Sequence, residues 1–200
     1  MPVVSIVGLV GIALLGAAGA SALARRWRLS LGARIAIPLG VVVVMLVPVG
    51  DLTAAGYVRG VIGDLSITSM VLLVATIGSS IAGRTLFPRR DITVLSCVAV
   101  IIAALLYPLA LGASAFDPYA LGFGSMAMAV TLLLGAVLAW YVRLYLLVLC
   151  VTLGVAGYLL GALESRNLWD YLLDVPLAAY ALSVVLRVFT RRMITRVGAA

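Results

Sequence analysis

The 200-residue sequence contains no histidine, no lysine and no glutamine, and only one asparagine, Asn167, and one glutamate, Glu164. Without histidine there is no bis-imidazole haem ligation, no histidine-built zinc or di-iron site, and no catalytic arrangement with imidazole as base. Without lysine there is no Schiff base, which excludes a retinal pigment and a pyridoxal enzyme. The two cysteines, Cys97 and Cys150, fall in the middle of separate apolar runs. There they read as small hydrophobes and not as a disulfide or metal pair. No G-x-x-x-x-G-K-[ST] phosphate loop is present, and no polar stretch is long enough to form a nucleotide-binding domain. A serine nucleophile would need a carboxylate as base. In GDLS, at 63–66, Asp64 lies near Ser66, but two residues apart on a helix they face away from each other. The sequence therefore specifies no reaction, no catalytic residue, no cofactor and no metal site.

Charge is scarce as well. Only 10% of residues are charged and 65% are hydrophobic, against about 25% charged in an ordinary soluble domain. One soluble core of this length cannot bury so much apolar side chain, so the reading is an all-α polytopic membrane helix bundle forming a single domain over 1–200. The Ala, Gly, Val and Arg bias without lysine suggests a GC-rich bacterial genome, hence a bacterial cytoplasmic (inner) membrane with the lipid bilayer as surroundings.

Crossing about 30 Å of hydrocarbon at a rise of about 1.5 Å per residue takes about 20 apolar residues. Seven runs are read as spans: 3–24; 35–50, short on its own and containing Pro38 and Pro48; 65–83; 92–112; 121–142; 144–163; and 175 to about 189. The first has no positive region before it and is read as a retained span, not a signal peptide. The connections then sort by charge. Arg25, Arg26, Arg28, Arg34, Arg84, Arg89, Arg90, Arg143, Arg187, Arg191, Arg192 and Arg196 occupy alternate connections and the C-terminus, accompanied by one acid, Asp91. The remaining connections carry Asp51, Asp64, Asp117, Glu164, Asp170 and Asp174 with only Arg59 and Arg166. By the positive-inside rule the N-terminus is outside and the C-terminus cytoplasmic. The net charge of +7 thus becomes a topology signal and points away from a nucleic-acid partner.

Trp27, Trp140 and Tyr141 mark the inner boundary of the spans, and Tyr107, Tyr119, Trp169 and Tyr171 the outer one, as headgroup-level anchors. The pairs Gly16 with Ala20, Gly56 with Gly60 and Gly157 with Gly161 mark faces where helices approach closely.

Two acidic segments on the outer side hold the candidate site. Residues 51–68 are too apolar for a free loop and too polar for an ordinary span. They read as an outward extension of the second run, an interfacial amphipathic helix or a re-entrant turn. On a helix Asp51 and Arg59 share a face, while Arg59 and Asp64, five apart, pair only with some adjustment. In residues 164–174 a helix would set Asp170 and Asp174 on one face, where like charges repel. A structural reading makes Asp174 the N-cap of the last helix, two residues before Pro176. A functional reading brings Asp51, Arg59, Asp64, Glu164, Arg166, Asp170 and Asp174 together in an outward-facing polar cavity.

A faint repeat aligns 35–90 with 144–192: LTAAGYVRG at 52–60 matches LGVAGYLLG at 153–161, and FPRR at 87–90 matches FTRR at 189–192. A parallel duplication of this type occurs in transporters and would make Asp51 a candidate for ion or proton coupling. Three functions follow. One is a small permease or membrane-embedded solute- or ion-binding subunit with a polar site near the outer face. The second is a non-catalytic subunit or assembly factor of a larger membrane complex, with partner membrane subunits or further copies of itself. The third, ranked last, is an enzyme acting on lipids through outer-face carboxylates.

Overall fold

The structure, a computed structural model, describes residues 3–113 and 115–197. The side chains of Arg192 and Arg196, used above for orientation, lie outside the described residues. Helices make up 78% of the structure, which is all-α. In chain order they are α1 (Val3–Arg26), α2 (Leu31–Leu46), α3 (Ala54–Ile62), α4 (Ile67–Ala82), α5 (Arg89–Pro108), α6 (Met126–Tyr141), α7 (Tyr145–Leu159), α8 (Trp169–Leu172) and α9 (Val175–Val197). Two strands of two residues each, β1 (Pro48–Val49) and β2 (Leu52–Thr53), form a hairpin between α2 and α3. A wide π turn (Leu109–Ala113) and a 3₁₀ turn (Pro118–Gly122) join α5 to α6.

Each of the seven apolar runs became a helix: α1, α2, α4, α5, α6, α7 and α9. Their lengths differ from expectation. Among the described residues only two helical stretches, Ile6–Arg26 and Arg89–Ala113, are both long and apolar enough to cross a membrane. The apolar helices α2, α4, α6 and α7 have 15 or 16 residues, about 24 Å at most against about 30 Å of hydrocarbon. Local chemistry shortens them. Pro48 cannot continue α2, and Gly161, at φ 60°, closes α7. The hairpin turns on Gly50, at φ 70°, the first of two turn residues, where a II′ turn takes glycine.

α1 packs along α2, α4 and α3; α4 meets α7; and α7 carries α6 on one side and α5 with α8 on others, while α9 runs along α5. The interfaces are built from small side chains. Ala13 and Ala17 are fully buried on α1, and Ala99, Ala103 and Ala181 join Leu106, Leu173 and Leu177 between α5 and α9. Gly16 faces Val41 of α2 and Gly157 faces Ile67 of α4, both at close approaches, whereas a side chain at Gly60 or Gly161 would meet nothing. Both cysteines are free; Cys150 is buried and Cys97 half-buried.

The sorting of charge along the sequence becomes a sorting in space. At one end, segments 59–66, 117–122 and 163–174 bond to one another; we call this the carboxylate end. At the other, the arginine end, Arg34 donates to Ser80 O at the close of α4 (3.0 Å), Arg90 donates to Val142 O, and Asp91 accepts from Leu146 N at the start of α7 (3.4 Å). Asp91 is 5% exposed, its charge set against the positive end of the α7 dipole.

Two helices at the arginine end close on arginine in the left-handed region. Arg28 (φ 51°) follows α1 and Arg143 (φ 60°) follows α6. Each sits in a Schellman pattern: Leu29 N bonds Ala24 O and Arg28 N bonds Arg25 O, while Leu144 N bonds Ala139 O and Arg143 N bonds Trp140 O. Glycine is the residue that adopts this conformation without strain, and another residue there costs about 1 kcal/mol. Arg143→Gly is therefore expected to raise the thermal midpoint in detergent, with a gain of about 1 kcal/mol. A lower midpoint would mean that the Arg143 side chain stabilises the fold by more than its backbone strain.

Candidate functional site

The carboxylate end is assembled from the α3–α4 connection, the 3₁₀ turn and the chain from α7 to α9. α3 starts at Thr53, whose hydroxyl accepts from Gly56 N (3.0 Å), and ends at Gly63. Gly63 adopts φ 78°, ψ −168°, a region that is essentially glycine-only. This bend supplies the adjustment the five-residue spacing demanded. It folds Asp64 back so that Arg59 Nε donates to Oδ1 at 2.5 Å and Arg59 Nη2 to Oδ2 at 2.9 Å. Arg59 Nη2 also reaches Glu164 Oε1 at 2.7 Å, from 105 positions away. The hydrogen bond to Asp64, and then that to Glu164, raise the Arg59 guanidinium pKa above its usual range despite desolvation, so it stays charged. Arg59 and Asp64 are about one-fifth exposed and Glu164 60%.

α1 lies against this pair at Gly8, where a β-carbon would come within 2.6 Å of Arg59 Nε and still closer to Asp64 Oδ1. Gly63→Ala is expected to destabilise by about 2 kcal/mol through backbone strain alone, read as a lower unfolding midpoint. A midpoint equal to the parent's would show that the bend is not fixed by residue 63.

Asp174 is the N-cap of α9, as the structural reading held: Oδ1 accepts from Leu177 N at 2.5 Å. Its second oxygen accepts from Ser66 N at 2.6 Å, and Ser66 is itself the N-cap of α4. One carboxylate thus ties together two helix starts 108 positions apart. Asp170 takes different partners. It accepts from Tyr119 Oη at 2.9 Å and from Ser165 Oγ at 2.5 Å. The expected repulsion between Asp170 and Asp174 does not arise on one helix face, because α8 ends at Leu172 and Leu173 is extended (φ −144°, ψ 134°). Burial, then the bond to Asp170, push the Tyr119 hydroxyl up to about 12.

The shared helix face proposed for Asp51 and Arg59 is corrected too. The segment begins as a hairpin and only becomes helical at Ala54, which places Asp51 at the exposed turn. Asp51 and Arg166 are exposed and make no hydrogen bond or ion pair among the described residues. Of the seven candidates the structure joins Arg59, Asp64 and Glu164 directly, sets Asp170 and Asp174 in adjoining networks, and leaves Asp51 and Arg166 at the surface. In the aligned repeat, 52–60 is strand and α3 while 153–161 is mostly α7.

Several residues at this end carried no functional reading in the sequence. Asn167, 1% exposed, donates from Nδ2 to Tyr119 O and accepts at Oδ1 from Trp169 N, each at 2.9 Å. Trp169 Nε1 donates to Pro118 O at 3.0 Å. Tyr171, expected as a boundary anchor, is 1% exposed; its hydroxyl accepts from Leu163 N and shares its one proton between Leu163 O and Ser165 O, each at 3.1 Å. The only sign was the uniqueness of Asn167. Trp27 and Trp140, each 65% exposed, and Tyr141 lie at the surface.

Chemically, the acids here accept hydrogen bonds, and Asp174 holds the starts of α4 and α9. Among the described residues no three acidic or thiol side chains gather as metal ligands. An open pocket beside the site is lined by Glu164, Ser165, Arg166, Tyr158 and Tyr171. Two apolar cavities lie deeper, one of about 380 Å³ between α6 and α7 that shares Tyr158 and Leu159 with this pocket, and one of about 600 Å³ where α5 and α6 stand apart over α7. Comparisons with protein families, curated proteins and solved structures found no match to this chain.

Proposed function

We propose that the chain is a multi-pass protein of a bacterial cytoplasmic membrane, with seven spans, its N-terminus outside and its C-terminus inside. It serves as a non-catalytic subunit or assembly factor of a larger membrane assembly. The observation carrying this reading is the commitment of six of the seven acids, all but the exposed Asp51: Asp64 and Glu164 to Arg59, Asp170 to Tyr119 and Ser165, Asp174 to two helix starts, Asp91 to a third, and Asp117 to the 3₁₀ turn through Tyr119 N. Ion carriers place ionisable groups along their path, and here those groups hold the bundle ends together. The short helices suit a membrane because flanking arginines snorkel and the bilayer thins locally.

Two measurements test the reading. A cysteine placed at Ala115 is expected to label from outside and one at Arg89 only after permeabilisation; the reverse would overturn the orientation. Gentle extraction is expected to yield stoichiometric partner chains by native mass spectrometry, and a lone, monodisperse chain would count against the subunit role.

The open pocket at Glu164, Ser165 and Arg166 favours a second reading, a small-solute permease or solute-binding subunit. It predicts gradient-driven flux in proteoliposomes that Asp64→Asn or Asp170→Asn diminishes. Absence of flux in the parent protein under any gradient removes it.

A further inference from the structure

We propose that the cleft between α5 and α6 is a binding site for an anionic glycerophospholipid, holding acyl chain in the cleft and phosphate at its arginine-end mouth. This rests on the membrane reading above.

The cleft, about 600 Å³, is walled by Val98 and Ile102 of α5 and Leu132 and Leu138 of α6, and floored by Leu147 and Val151 of α7. Trp169, Leu172 and Leu173 roof it at the carboxylate end. Such a lining excludes ions and polar solutes and accepts hydrocarbon. From Thr131 to Val142, both on its wall, α6 rises about 16 Å, close to one leaflet of a hydrocarbon core of about 30 Å. The cleft is therefore as deep as one acyl chain is long, and it opens sideways, from where a lipid arrives.

Charge decides which lipid. Val142 and Leu144 form the lower wall, and Arg90 Nη2 donates to Val142 O at 3.4 Å, so a guanidinium lies across the mouth. That contact occupies one of five donors and leaves the others for a phosphate, which guanidinium groups grip in bidentate fashion. Arg143 lies between the two wall residues, exposed, in a left-handed conformation that the fold alone would give to glycine. The nearby acid, Asp91, is turned into the bundle toward Leu146 N, where the positive end of the α7 dipole offsets its charge. A transmembrane helix of a partner would fill the apolar cleft equally well but has no use for the Arg90 guanidinium at its mouth or for the exposed Arg143 on the chain beside it.

The test uses the full chain in detergent with Trp27→Phe and Trp140→Phe, which leaves Trp169 in the cleft roof as the sole tryptophan. Phosphatidylglycerol with brominated chains is titrated against it and Trp169 quenching is followed. Saturable quenching is expected, with half-saturation about tenfold below that of brominated phosphatidylcholine, equivalent to about 1.4 kcal/mol. Arg90→Gln with Arg143→Gln should bring the two lipids together. Arg143→Gly should weaken the anionic lipid while raising the thermal midpoint, a divergence that a purely structural arginine would not give. Gly135→Leu should abolish quenching by both lipids, because a side chain at Gly135 clashes with nothing and projects on a cleft-lining helix. Excess inorganic phosphate should not compete, since the chain supplies most of the affinity. Equal quenching by both lipids, indifference to the arginine variants, displacement by phosphate alone, or a copurifying polypeptide that shields Trp169 would each overturn the site. Failure of the membrane reading is separate: the chain would then leave the membrane pellet under carbonate extraction.

Discussion

Gly122→Ala is expected to lower stability by about 4 kcal/mol, or about 10 °C in thermal midpoint for a chain of this length. A β-carbon at residue 122 would come within 2.6 Å of Asn167 Cγ, closer still to Asn167 Oδ1, and within 2.8 Å of Trp169 Cδ1. None of these atoms is the free end of a flexible side chain. Asn167 is pinned by its bonds to Tyr119 O and Trp169 N, and Trp169 by its bond to Pro118 O. The backbone is pinned too, because Gly122 O accepts from Leu168 N at 2.9 Å. The 3₁₀ turn must lift off residues 165–170, or Asn167 must leave and strand a buried acceptor and donor, each worth about 1–3 kcal/mol. Unfolding followed by Trp169 fluorescence, in the Trp27→Phe, Trp140→Phe background that leaves Trp169 as the sole tryptophan, measures the loss. Adding Asn167→Ala to Gly122→Ala should cost much less than the sum of the two single changes, because the same bonds are lost once. Full additivity, or an unchanged midpoint for Gly122→Ala, would show that the turn does not pack on Asn167.

What could be read from the sequence and what could not divides by distance along the chain. The seven apolar helices were legible because an apolar run is a local property, and the separation of arginine from acid was legible because it recurs along the chain, with Asp91, Arg59 and Arg166 as the exceptions. Helix ends were less so. Leu46, Tyr141 and Leu159 end helices short of their apolar runs because turn geometry at Pro48, Arg143 and Gly161 overrides hydropathy. Within the site, the Asp174 cap was readable from its spacing to Pro176, and Arg59 with Asp64 nearly so. Glu164 on Arg59 and Ser66 on Asp174 were not, since each contact joins residues more than 100 positions apart and no local pattern encodes it. The Asp170–Asp174 expectation failed because a single extended residue, Leu173, redirects one carboxylate.

The same long-range contact yields the second large effect. Asp174→Ala removes acceptors from Ser66 N and Leu177 N together, so α4 and α9 each lose a charged group at the positive end of the helix dipole. Ser66 is fully buried, and its amide would be left without a partner. One lost cap and one orphaned buried amide come to about 3 kcal/mol. Ser66 still caps α4 through its own hydroxyl to Ser69 N at 3.1 Å, so α4 should keep its helicity while its start loosens from α9. Hydrogen exchange separates these outcomes: faster exchange is expected at the amides of Ser66 and Leu177 and not along the middle of α4. Asp174→Asn keeps one acceptor oxygen but loses the charge, and should cost about half as much. If Asn and Ala are equally destabilising, the carboxylate acts through its charge and not through the hydrogen bond. If neither variant shifts the midpoint, the bond between these two helix starts contributes nothing, and the carboxylate end is held by Arg59 and Asn167 alone.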